Sequence, residues 1–96
     1  MKHLLVRYKV KPEALAENRR LIEAVFEALK VRSPDGFNYR VVELEDGSFV
    51  HLKSSREGGF ELHDLPAFRA FRGDISKRCD EQPKASEVLI VGQYAG

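Results

Sequence analysis

The chain has 96 residues, 16 basic against 15 acidic, a formal net charge of +1 and one cysteine, Cys79. That length has room for a single core, so one domain over 1–96 is expected. The near-neutral balance argues against nucleic-acid binding and the lone thiol excludes an internal disulfide; no apolar run approaches the ~18–20 residues of a membrane span.

Met1 to Val10 carries Lys2, Arg7 and Lys9 among its apolar residues and has no cleavage motif, so a secretory leader is not expected and the cytoplasm is the default compartment. His3 to Val10 alternates, with Leu4, Val6, Tyr8 and Val10 on one side, and reads as a strand. Lys11-Pro12-Glu13 starts a helix, since proline at the first helical position needs no partner for its nitrogen. The helical period runs from Glu13 to about Val31, its apolar stripe being Leu15, Ile22, Val25, Phe26 and Leu29. Ser33-Pro34-Asp35-Gly36 then turns the chain.

Phe37–Leu44 and Phe49–Ser54 read as strands joined at Asp46-Gly47, a pair that suits a two-residue type I′ hairpin. That turn sets Leu44 opposite Phe49, Val42 opposite His51 and Arg40 opposite Lys53, with Val41 and Tyr39 on the other side beside Leu52 and Ser54. Ser54 to Asp64, with Gly58-Gly59, is a loop. A second helix begins at Asp64 or Leu65, buries Phe68, Phe71, Ile75 and Cys79, and is ended by Asp80-Glu81-Gln82-Pro83. The last strand is expected at Glu87–Tyr94.

The order βαββαβ, with right-handed crossovers, gives an α+β, ferredoxin-like fold: a four-stranded antiparallel sheet with two helices on one face. The hairpin and the last strand carry apolar groups on both sides. Two helices cover one face; the other needs a partner, and a homodimer through the sheet is expected.

Three segments then carry a resemblance: Val10-Lys11-Pro12-Glu13, Pro34-Asp35-Gly36-Phe37 and Leu65-Pro66-Ala67-Phe68-Arg69-Ala70-Phe71. With the element order, they resemble the antibiotic biosynthesis monooxygenase-like dimeric α/β-barrel family. The resemblance implies two sheets packed into one barrel, and either a cofactor-independent monooxygenase acting on an aromatic or quinol-like molecule or a non-catalytic small-molecule binding or sensing protein. The haem-degrading branch of that family relies on an asparagine on strand one, a tryptophan and a histidine on the second helix. None of these stands at the matching places, so no haem or other cofactor is expected.

Among individual side chains, His51 is the candidate catalytic residue. A neutral imidazole near pH 7 can orient or deprotonate a phenolic substrate, and the alternative is a hydrogen-bonded structural histidine. Tyr39 and Tyr8 are candidate ligand-binding residues through their hydroxyls, or wedges at the edge of the core. Arg7 suits an acidic ligand group if its face lines a cavity, and a carboxylate across an interface otherwise. Asp64 reads as a cap of the second helix, His3 as solvated, and Arg69, Arg72 and Arg78 as a solvated basic strip. No histidine spacing suits a metal, and Cys79 reads as a small buried hydrophobe.

Overall fold

Alternation in the first strand places it at the centre of the sheet: β1 (Lys2–Val10) is bonded on one side to β3 (Ser48–Ser55) and on the other to β4 (Cys79–Glu87). β2 (Asn38–Glu43) lies outside β3, so the antiparallel order is β2-β3-β1-β4. The computed structural model describes all residues, 1–96. Helix α1 (Leu15–Arg32) follows a short 3-10 turn at Pro12–Ala14, α2 spans Pro66–Gly73, and α3 spans Ile75–Arg78. Tyr8, Val10 and Phe49 from the sheet share one core with Val25 of α1 and Phe68 and Phe71 of α2, so the helices cover one face. The ferredoxin-like α+β expectation holds.

Several expectations change. The hairpin is not a two-residue turn. Leu44 and Ser48 close it, through Leu44 N–H to Ser48 O at 2.8 Å, and Gly47 sits at φ 87° with its N–H to Leu44 O at 3.2 Å. This is a three-residue loop with a bulge at the left-handed glycine. Asp46 favours it by accepting the Ser48 N–H at 2.9 Å. The register slips by one: Val41 faces His51, Val42 faces Val50, Arg40 faces Leu52 and Tyr39 faces Lys53. A one-residue slip exchanges the faces of a whole strand. Val41 and Tyr39 therefore join His51 on the helix side.

The second helix breaks at Gly73-Asp74, where glycine weakens helical continuation, into α2 and α3. The last strand is then Cys79–Glu87, not Glu87–Tyr94. Its polar sequence is that of an edge strand exposed along nearly all its length. Pro83 is tolerated there, next to register shifts opposite Arg7, Lys9 and Val10. Beyond it Val88 gives one more bond, N–H to His3 O at 3.0 Å, and the remaining residues to Gly96 form no helix or strand. Neither helix start is capped by a side chain: Asp64 lies in a 3-10 turn, Leu62–Asp64, and Leu65 precedes α2. Arg78 is buried, not part of a solvated strip.

The face away from the helices carries Val50 with Val42 and Leu52, the last two 43% and 37% exposed. The terminal segment adds Leu89, Val91 and Tyr94, each at least 87% exposed. Two apolar surfaces are thus left without cover within one chain.

Candidate functional site

Asn18 and Arg78 occupy stripe positions of their helices. Asn18 falls between Leu15 and Ile22 on α1, and Arg78 follows Phe71 and Ile75. Both are buried, Asn18 completely, and buried polar groups need partners. They find them in one chain of hydrogen bonds. Arg78 Nε donates to Asn18 Oδ1 at 3.1 Å, and Asn18 Nδ2 donates to the Tyr8 hydroxyl at 3.1 Å. The Tyr8 oxygen lies 2.7 Å from His51 Nε2, and His51 Nδ1 lies 2.5 Å from the Tyr39 hydroxyl. Arg78 Nη2 also donates to Phe71 O at 2.7 Å, which anchors that end.

The protons along this chain are set by its first member. Guanidinium is a donor only, so Oδ1 of Asn18 faces Arg78 and Nδ2 faces Tyr8. The Tyr8 oxygen therefore accepts from Asn18, and its one hydrogen has His51 Nε2 as its acceptor. Nε2 then carries no hydrogen. His51 is the Nδ1–H tautomer and donates to the Tyr39 oxygen, leaving the hydrogen of Tyr39 to point onward. The reverse order strands the Tyr8 hydrogen in the core, which costs ~1–3 kcal/mol.

Burial reinforces the arrangement. It pushes His51 down to about 4, so the imidazole is neutral at pH 7. Burial also raises both tyrosine hydroxyls, that of Tyr8 against the opposing Asn18 bond, so both stay protonated. The rings are held by packing: Tyr8 stacks on Phe49 at 5.6 Å, Tyr39 on Phe26 at 5.3 Å, and His51 lies 5.3 Å from Phe71.

Tyr8, His51 and Tyr39 all line one cavity of about 250 Å³ between the sheet and α2. Its apolar wall includes Val6, Leu62, Phe68, Phe71 and Ile75. His63 and Arg72 stand at its exposed margin and Lys53 is half-buried within it. The cavity lies inside one protomer, on the helix side of the sheet.

Of the residues singled out from sequence, three converge here and one does not. Arg7 alternates to the bare face and is exposed. His3 is not simply solvated, since its Nδ1 lies 2.6 Å from Ser54 Oγ. Cys79 is buried in the core, where burial raises its thiol. Asn18 went unread and Arg78 was read as solvated, although a polar residue interrupting an otherwise apolar helical stripe is a legible sign of a buried hydrogen-bond network. No group of three or more His, Cys, Asp and Glu side chains is placed to hold a metal ion, and no helix is long and apolar enough to cross a membrane.

No family model matches the chain, and no curated protein matches it in sequence. Solved structures do match in fold. Rv0793 from Mycobacterium tuberculosis superposes with a TM-score of 0.76 at 16% identity, over 98% of both chains. A protein from Deinococcus radiodurans provisionally named an antibiotic biosynthesis monooxygenase gives 0.70 at 21% identity over 100% of both chains. One with the same provisional name from Caulobacter crescentus gives 0.75 at 16% identity, over 95% of this chain and 90% of that one. At such identities what is shared is the fold.

Proposed function

We propose that this chain, which has the fold of the antibiotic biosynthesis monooxygenase-like proteins, takes a small phenolic or quinol-like molecule into the cavity beside Tyr39 and oxidises it with molecular oxygen. The observation that carries this reading is the unbroken hydrogen-bonded chain from Arg78 to Tyr39, whose last hydroxyl lines an aromatic cavity; with the proton order argued above, that hydroxyl is free to donate. A phenolate or carbonyl oxygen is what such a donor recognises. In the overall reaction a phenol and O₂ give the quinone and water. One oxygen atom enters the ring carbon opposite the hydroxyl, the other leaves with two hydrogens, and all electrons come from the ring.

In this scheme Tyr39 stabilises the phenolate, and Phe68 and Phe71 hold the ring out of water. His51 positions Tyr39. It does not serve as the base, because both of its nitrogens are engaged by tyrosines. That same engagement supports a second reading, a non-catalytic binding or sensing protein, since it leaves the cavity no free imidazole on the relay. Oxygen uptake decides between them. With phenol and alkylphenols whose ring carbon opposite the hydroxyl is free, turnover above autoxidation that falls at least tenfold in Tyr39→Phe supports the enzyme. Thermal stabilisation by the same compounds without uptake supports the binding protein.

Both readings place the chain as a homodimer paired through its bare sheet face, with the reducing cytoplasm as the setting for its single cysteine. Val42, Val50 and Leu52, with the exposed tail residues Leu89, Val91 and Tyr94, supply the apolar surface for pairing. Sedimentation at micromolar concentration is expected to give twice the chain mass. A stable monomer contradicts the pairing.

A further inference from the structure

The charged groups of the cavity are all of one sign. Lys53 and Arg72 line it, and no aspartate or glutamate does. Neither cation is spent elsewhere: the ion pairs of the chain are Arg19–Glu43, Arg20–Glu17, Lys30–Glu27 and Lys77–Asp74, and no side-chain hydrogen bond involves Lys53 or Arg72. Lys53 is moreover the cross-strand partner of Tyr39 and follows His51 by two residues on β3. It therefore shares the helix-covered face of the sheet with the relay, where its side chain is half-buried and has no acidic partner. Arg72 approaches from α2, directly after Phe71, on the other side of the cavity. His63 lies at the same margin, its ring 5.1 Å from that of Phe68.

Size narrows the occupant further. The cavity holds about 250 Å³. A cavity of ~150 Å³ suffices for benzene, whereas drug-sized ligands occupy ~300 Å³ or more. One ring with short substituents fits this volume.

We propose that the ligand is a one-ring aromatic acid, its carboxylate set between Lys53 and Arg72, its ring against Phe68 and Phe71, and a ring oxygen within reach of Tyr39. This rests on the reading of the cavity as a phenol site and adds its substrate class. The acid supplies the counter-charge that Lys53 and Arg72 lack, and because both cations sit beside aromatic walls, the acid's ring and its charge are recognised together.

The test is calorimetric titration with 3-hydroxybenzoate, 3-hydroxybenzamide and phenol. The acid is expected to bind at least tenfold more tightly than the amide, and to weaken on going from 50 to 500 mM salt. In the double variant Lys53→Met, Arg72→Met that preference is expected to shrink to within about twofold, with phenol binding unchanged. Both substitutions keep the apolar stems, and the unchanged phenol affinity reports that the cavity is intact. Equal binding of acid and amide overturns the proposal while leaving the phenol site standing. Binding of phenol alone does the same. No binding of any of the three overturns the phenol site and the proposal with it.

Discussion

Arg78 donates from Nε to Oδ1 of Asn18 at 3.1 Å, joining the end of α3 to the first turns of α1. Because guanidinium cannot accept, this contact fixes the asparagine amide and, through it, every proton as far as Tyr39.

The two tyrosines should differ in what their hydroxyls are worth to stability. Tyr8→Phe removes an oxygen with two buried partners, stranding Asn18 Nδ2 and His51 Nε2. A loss of roughly 2–3 kcal/mol is expected. Tyr39→Phe frees only His51 Nδ1 at the half-buried end, where water can replace the hydroxyl, so about 1 kcal/mol is expected. Urea unfolding of the two variants checks the order. Equal losses contradict a chain with one buried and one open end.

His51 also makes stability depend on pH. Its folded value is lowered by burial to about 4, against an ordinary 6.5. Between those values the unfolded chain binds the extra proton and the folded one does not, so stability rises with pH across that window. The contribution is fully present above about pH 6.5 and is lost as pH falls toward 4, on the order of 3 kcal/mol in all. Carboxylates titrate nearby, so the comparison is with His51→Gln. The stability gap between the two proteins is expected to narrow by that amount from pH 7 to pH 4. Parallel curves contradict a neutral buried imidazole.

Gly47 holds the hairpin register and with it the site. At φ 87° its conformation is one that L side chains rarely adopt, and an added Cβ would stand 3.4 Å from Val10 O. Gly47→Ala is expected to cost about 1–2 kcal/mol in urea unfolding. A neutral substitution contradicts the bulged loop.

That hairpin also shows where sequence reading ends. The stripe of α1, the alternation of β1 and the order of elements follow from local periodicity, and those were legible. Asp46-Gly47 suits both a two-residue turn and a three-residue loop with a bulge. The choice depends on Asp46 bonding to Ser48 and on Val10 N–H bonding to Gly47 O at 3.0 Å, the latter a contact between distant segments. A difference of one residue separates Tyr39 from His51 or joins them, so the partners of His51 were not readable although His51 itself was. Asn18 was legible in principle, as a polar residue in an apolar stripe. The last strand was not, because an edge strand paired only to β1 needs no apolar face of its own, and Asp80-Glu81-Gln82-Pro83 reads locally as a stop.

The direction of the whole relay depends on which nitrogen of His51 carries the proton. Nitrogen-detected NMR of imidazole-labelled protein at pH 7 reads it directly. One ring is expected with Nδ1 in the protonated range and Nε2 in the bare, accepting range, unchanged down to about pH 5. A ring protonated at Nε2 alone would reverse the chain and turn the hydrogen of Tyr39 inward, and an imidazolium near neutral pH would leave the Tyr8 hydrogen without its acceptor; either result contradicts that expectation.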